Sequence, residues 1–61
     1  MRLLIRLLAL VDSAKFYESD GEYFIEYKNK GNMPTTFASG KKLELLIETI
    51  CKRLEDYNNA S

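Results

Sequence analysis

The chain has 61 residues, one cysteine and no histidine, and its nine basic residues are balanced by nine acidic ones. The lone thiol excludes an intrachain disulfide and a structural zinc site, because one sulfur cannot supply four metal ligands. The cancelled charge argues against a dedicated nucleic-acid binder, whose affinity comes mainly from neutralising phosphates.

The hydrophobic content of 46% is high for so short a chain. A domain of this size buries only roughly 60% of the surface that its extended chain exposes. We therefore expect residues 1–61 to form one small domain that shares apolar surface in a homodimer or with an obligate partner. The unpaired cysteine suits a reducing cytoplasm.

The N-terminal run, MRLLIRLLALV, fits two structures. As a helix it places on one face Leu3, Leu4, Leu7, Leu8 and Val11. As a strand it alternates apolar residues from Leu3 to Val11 with residues such as Arg2 and Arg6. Its leucine and alanine content favours the helix, and the strand interpretation stays open. The run is too short to cross a membrane, and we expect its leucines in the core or a dimer interface. The alternative is an amphipathic helix on a membrane surface, with its two arginines on one side.

The next stretch predicts a β-hairpin. Asp20-Gly21 is a strong turn signal between two runs rich in aromatic and β-branched residues. Pairing Ser19 with Glu22 gives one face consisting of Ala14, Phe16, Tyr23, Ile25 and Tyr27. The opposite face then consists of Lys15, Tyr17, Phe24, Glu26 and Lys28. Both faces carry aromatic residues, so we expect each to pack against something.

The segment after the hairpin has a weaker signal. A polar loop is predicted over Asn29–Asn32, and Pro34 excludes a central strand at that position. Thr35–Ala38 is either a short third strand or an extended connector. Its only large apolar residue, Phe37, is expected to fill the core under a helix, and the alternative is an exposed anchor for a partner.

The clearest helix begins at Ser39, as an N-cap, and runs to about Tyr57, with Asn58 as a stop signal. Its apolar stripe consists of Leu43, Leu46, Ile47, Ile50, Cys51, Leu54 and Tyr57. Cys51 is expected to be a small buried hydrophobe rather than a nucleophile, because no histidine is present to deprotonate it.

Two charged groups are candidate sites. Lys41 and Lys42 at the start of the helix form a weak candidate for anion binding, although a solvated first turn is the commoner explanation. Four acids gather around the hairpin: Glu18, Asp20, Glu22 and Glu26. A hairpin tip is wet and gives no cleft to shift their pKa values, so we expect a solvated face or contacts to a basic partner rather than catalysis.

The hairpin resembles a known family. Asp20-Gly21, followed by Glu26-Tyr27 and Lys30-Gly31, is similar to the small dimeric uracil-DNA glycosylase inhibitors of tailed phages. The resemblance implies two chains joined through sheet and helix, which present acidic and aromatic groups that imitate DNA and trap an apolar residue of the enzyme. It carries over Glu26 and Tyr27 by position and Phe37 by type. The segment MPTTFASGKK departs from the family, because it has no acid and one aromatic residue.

The sequence thus predicts an α+β domain in which an antiparallel hairpin, with or without a third strand, packs against a C-terminal amphipathic helix. The expected function is that of a non-catalytic, phage-encoded inhibitor that acts as a homodimer on a host enzyme, with uracil-DNA glycosylase as the most concrete target. Its predicted protein-binding residues are Tyr23, Glu26, Tyr27 and Phe37. We expect no catalytic residue, metal or cofactor. The alternatives are a subunit of a larger complex or a minimal nucleic-acid-binding dimer that uses Arg2, Arg6, Lys41 and Lys42.

Overall fold

The computed structural model describes residues 2–31 and 33–59 as two helices and three strands. The elements in chain order are α1 (Arg2–Leu10), β1 (Val11–Ser19), β2 (Glu22–Asn29), β3 (Thr35–Gly40) and α2 (Leu43–Asn59). The strands form one antiparallel sheet in the order β1-β2-β3, so the predicted α+β class is confirmed and the third strand is present. Neither helix in the described ranges has the length and hydropathy needed to cross a membrane.

The hairpin has the predicted register: Ser19 lies opposite Glu22, and each successive residue pair matches the prediction as far as Ala14 and Tyr27. Both turn residues have positive φ, 53° at Asp20 and 77° at Gly21. That combination is typical of a type I′ turn, whose twist matches that of the flanking strands. Turn chemistry therefore determines which side chains share a face of this hairpin.

A β-bulge ends the hairpin at its open end. Val11 pairs with Asn29 and Ser13 with Lys28, so Asp12 is an extra residue in β1. Without the bulge, alternation would place Val11 on the same face as Lys15. The extra residue instead turns Val11 inward, where it is buried opposite the buried Asn29. Asn29 is thus part of β2, not of the predicted loop, whose last residue, Asn32, lies outside the described ranges.

Helix α1 confirms the helical interpretation of the N-terminal run, but it ends at Leu10 and passes directly into β1. Leu7 is fully buried, and Leu3 and Leu10 pack against the core. Leu8, which the predicted apolar face includes, is exposed, and so is Ile5. The buried stripe is narrow because α1 covers only the margin of the core beside α2.

Helix α2 supplies most of the core and buries Leu46, Ile47, Ile50, Cys51 and Leu54. It begins at Leu43, so the prediction of Ser39 as its N-cap is wrong. Ser39 instead pairs with Phe24, because β3 continues to Gly40 before the chain turns. The helix also continues past the predicted stop at Asn58. That residue's Oδ1 accepts a hydrogen bond from Nδ2 of Asn29 at 3.4 Å, which ties the end of α2 to the end of β2.

The two helices cover one face of the sheet. The buried cluster joins Leu7 of α1 and the buried residues of α2 to Ile25 and Tyr27 of β2. We call the covered side of the sheet the inner face and the opposite side the outer face. No described element packs on the outer face, so any cover on that face must come from outside the described residues.

Candidate protein-binding surface

The outer face of the sheet carries an exposed aromatic patch. Across the three strands, Tyr17 lies opposite Phe24 and Phe24 opposite Ser39, while Lys15 lies opposite Glu26 and Glu26 opposite Phe37. The residues that line a shallow depression of about 360 Å³ between these rows are Tyr17, Phe24, Glu26, Phe37, Ala38 and Ser39. We call Tyr17, Phe24 and Phe37, with Glu26 between them, the aromatic patch.

Phe37 is the most prominent member of the aromatic patch, because 70% of its surface is exposed. The prediction that it fills the core is therefore wrong. Register is the physical reason: Ala38 faces Ile25 on the inner face, so its neighbour Phe37 must point outward. A shift of one residue would have exchanged the two side chains, and the sequence contains no turn signal that fixes this register.

The four predicted protein-binding residues divide between the two faces. Glu26 and Phe37 belong to the aromatic patch. Tyr27 is only 4% exposed and lies in the core, so little of its surface is open to a partner. Tyr23 also points inward and is partly buried.

The predicted protein-binding residues do not include Tyr17 and Phe24, although the predicted hairpin register places both on the same face as Glu26. Both side chains are exposed on the outer face. The hairpin register was the signal that could have identified Tyr17 and Phe24. It becomes informative only once the third strand is known to leave the outer face of the sheet uncovered.

The acids of the hairpin do not form one surface. Glu22 and Glu26 point to the outer face, Glu18 alternates to the inner side, and Asp20 lies in the turn. The lysine neighbours of Glu26 on the outer face, Lys15 and Lys28, offset its charge and that of Glu22. The aromatic patch is therefore surrounded by both signs of charge rather than by an acidic field.

The predicted cationic set is also divided. Arg6 forms an ion pair with Glu55, and its Nε donates a hydrogen bond to Oε2 of Glu55 at 2.7 Å. This hydrogen bond raises the pKa of Arg6 and lowers that of Glu55. Lys41 and Lys42 lie between β3 and α2, where they line a different surface, together with Arg53.

A second apolar surface lies beside α1, where a groove of about 350 Å³ opens between this helix, the hairpin and the start of α2. Its apolar and aromatic lining consists of Leu4, Phe16, Tyr17, Tyr23, Leu43 and Ile47, so Tyr17 borders both this groove and the aromatic patch. Ile5 is 67% exposed on α1, and Leu8 is also exposed on this helix. We call Ile5 and Leu8 together with this groove the α1 surface.

Metal-ligating side chains do not cluster in the described part of the chain. No group of three or more acidic, cysteine or histidine side chains in these ranges could hold a metal ion. The Cys51 thiol is fully buried, and burial raises its pKa. Its sulfur lies 3.9 Å from the carbonyl oxygen of Leu3, which fits the predicted role of a small buried hydrophobe.

No family model, curated protein or solved structure matches this chain.

Proposed function

We propose that the chain is a non-catalytic protein-binding protein whose aromatic patch docks on a larger protein. The observation that carries this proposal is a sheet face with exposed Tyr17, Phe24 and Phe37, over which no element of residues 2–31 and 33–59 packs. Aromatic side chains at the centre of an interface, with charged residues around them, are typical of protein-binding sites.

Phe37 offers more binding free energy than the other aromatic residues of the patch. A phenylalanine buries about 150–250 Å² when it is fully covered. Full burial of a phenylalanine side chain contributes about 1.5–3 kcal/mol, so a partner that covers the 70% still exposed gains about 1–2 kcal/mol. Tyr17 and Phe24 are less exposed and add smaller contributions. The aromatic patch can therefore supply the hot spot of an interface.

Charge favours protein over nucleic acid as the ligand of this face. Single-strand binders surround their stacking aromatics with basic residues that follow the phosphates. Here Glu22 and Glu26 offset Lys15 and Lys28, so phosphates gain little at this surface. A protein surface with both signs of charge fits better.

The α1 surface supports self-association, so we propose that the protein acts as a homodimer in the cytoplasm. Ile5 and Leu8 lie one helical turn apart and are exposed next to an apolar groove. Dimerisation there covers this surface and leaves Phe24 and Phe37 of the aromatic patch free for the partner, whereas Tyr17 borders both surfaces. Light scattering tests this: Leu8→Glu should give a monomer, whereas Lys30→Ala, which changes the net charge by the same amount, should not. A wild-type monomer at micromolar concentration would refute the dimer.

Inhibition of uracil-DNA glycosylase, which the family resemblance implies, is the most concrete form of this proposal. In support, Glu22 and Glu26 lie on the same face as the aromatic patch, although the other two hairpin acids do not. A uracil-excision assay with excess protein should show loss of activity that Phe37→Ala relieves. Undiminished excision at excess protein would reject this target and leave the general proposal standing.

A matched pair of variants tests the binding surface. Phe37→Ala removes the most exposed aromatic residue of the patch, and Tyr57→Ala removes an exposed aromatic residue at the end of α2. Proteins retained from host lysate by wild type and Tyr57→Ala, but lost with Phe37→Ala, support docking through the patch. Equal retention by both variants would contradict it. The native mass of the retained complex also tests whether the chain is a subunit of a larger assembly.

The alternative of a nucleic-acid-binding dimer is tested by gel shift at two salt concentrations. Tight binding that weakens steeply with salt would favour it over the proposal. Of its four cations, Arg6 is already paired with Glu55.

A further inference from the structure

The free edge of β3 marks a second binding site. Because the sheet order is β1-β2-β3, β3 pairs with β2 along one side and with no described strand along the other. Alternate N–H and C=O groups of Thr35–Gly40 therefore point away from the sheet without a ladder partner. An extended peptide can add to such an edge as a further strand.

Helix α2 extends beyond this edge. Leu45, Thr49 and Arg53 recur every four residues and so lie along one line of the helix. All three are exposed, and they form a groove of about 540 Å³ together with the inner side of β3. The inward residues at that edge, Ala38 and Gly40, are small and leave the groove open. A fourth strand beside β3 would cover Leu45, which is 57% exposed.

The groove is lined by three cations, Lys41, Lys42 and Arg53, and by no acid. None of the three has an ion-pair partner in the described ranges, whereas Arg6 and Lys52 are each close to a glutamate. The lysines lie at one end of the groove and Arg53 at the other. This arrangement is complementary to a ligand with negative charge at two separated positions.

We propose that the β3 edge binds an acidic extended peptide as an added strand. Lys42 and Arg53 are eleven residues apart, or about 16 Å along a helix axis. Side chains on one face of a strand recur every two residues, so positions i and i+4 are about 13 Å apart, and the long lysine and arginine side chains span the difference. The ligand therefore carries acidic residues at i and i+4 and an apolar residue at i+2, against Leu45.

A second copy of this chain is a poorer occupant of the β3 edge. Antiparallel pairing of two β3 strands would set the Gly40 end of one against the Thr35 end of the other. Arg53 lies near the latter end, where it lines a depression with Thr36. Lys41 and Lys42 of one copy would then approach Arg53 of its partner, and like charges would oppose the association. An acidic ligand replaces this repulsion with attraction.

The test uses a blocked seven-residue peptide, TETVTET, titrated into the full chain and followed by amide chemical shifts. We expect saturable binding with shifts along β3 and α2, and slower hydrogen exchange at the edge amides of β3. The peptide TETPTET keeps the charges but removes an N–H and should bind at least tenfold more weakly. TKTVTKT should not bind.

Matched substitutions on α2 locate the site. Arg53→Glu should weaken TETVTET binding at least tenfold, while Lys52→Glu, the same change at the neighbouring residue, should alter it less than twofold. Phe37→Ala should leave it unchanged, so this site and the aromatic patch are tested separately. Equal binding of TKTVTKT, no effect of Arg53→Glu or no saturation at millimolar peptide would overturn the proposal. Tighter binding of oligo(dT) than of TETVTET would also overturn it, in favour of a single-stranded nucleic acid.

Discussion

Replacing Leu7 with alanine tests whether α1 is part of the core or an appendage on it. Leu7 is fully buried and belongs to the same cluster as Ile25 of the sheet and Ile50 of α2. Truncation removes three buried carbons from a position enclosed by both layers. The cavity that it leaves cannot be filled by solvent-exposed neighbours without moving the helix.

The expected cost is large compared with the stability of the whole chain. A buried Leu→Ala change destabilises by roughly 2–5 kcal/mol. At roughly 0.05–0.15 kcal/mol per residue, a chain of 61 residues has a free energy of unfolding of about 3–9 kcal/mol. The variant should therefore lose about half of its stability. With a urea dependence of about 1 kcal/mol per molar, the unfolding midpoint should fall by about 2–5 M.

Leu45→Ala is the matched control, because it is the same change on a helix at an exposed position. It should cost about 1 kcal/mol or less, since little buried surface is removed. Both variants are compared with the wild type by urea unfolding, followed by circular dichroism at several protein concentrations to separate dimerisation from folding. Equal midpoints for the two variants would refute the placement of α1 in the core.

Three further predictions concern the turn, the ion pair and the thiol. Gly21→Ala should destabilise the protein by roughly 1–2 kcal/mol in urea unfolding, because an alanine at φ +77° is strained; an unchanged midpoint would contradict the type I′ turn. The hydrogen bond from Arg6 holds the pKa of Glu55 below its ordinary value of 4.5. The ion pair therefore contributes its full stabilisation of the folded protein above that pH, and this contribution is lost as the pH falls through the lower pKa of the folded state. Midpoints at pH 6 and pH 3 should differ less in Glu55→Gln than in the wild type. The Cys51 thiol, fully buried, should react with a disulfide reagent only as fast as the protein unfolds, and rapid reaction of native protein would contradict its burial.

The parts of the fold that could be predicted are those with local causes. Asp20-Gly21 determines the hairpin register through turn chemistry, and the register is confirmed residue by residue. The predicted stripe from Leu43 to Tyr57 follows the helical period and is buried from Leu46 to Leu54. At its two ends, Leu43 is only partly buried and Tyr57 is exposed. Leucine and alanine content correctly favoured helix for the N-terminal run.

The errors come from pairing between strands that no tight turn connects. The register of β2 with β3 places Phe37 outward and keeps Ser39 in the strand. Neither the outward position of Phe37 nor the inclusion of Ser39 in the strand can be predicted from nearby residues. The alternation of side chains along a strand defines two faces but not which of them is the inner one. The bulge at Asp12 could not be predicted from local sequence either. Only the buried position of Val11 shows why the extra residue is needed.

The candidate sites were predictable to the extent that they follow the hairpin. Glu26, Tyr17 and Phe24 were placed on one face by the turn, and only the missing cover over that face was unforeseen. Arg53 had no such signal. Arg53 lines the same groove as Lys41 and Lys42 only because α2 runs back along β3. This grouping of residues about a dozen positions apart therefore depends on the packing of a helix against a sheet edge.

The two proposed binding sites both include β3 but use opposite faces of it. Successive side chains of a pleated strand point to opposite faces, so we expect ligands to bind the two sites independently. Phe37 projects from the outer face, whereas the groove uses the inward Ala38 and Gly40, the backbone edge and α2. A domain of one sheet and one helical layer leaves its second sheet face and its edges without cover. Because Phe37 and Arg53 share no contact among those described, the double variant Phe37→Ala/Arg53→Glu should lose, for each ligand, the same binding free energy as the corresponding single variant, to within about 0.5 kcal/mol. That variant should fold with the same unfolding midpoint as wild type and bind neither ligand, and coupling between the two losses would show that both ligands use one surface.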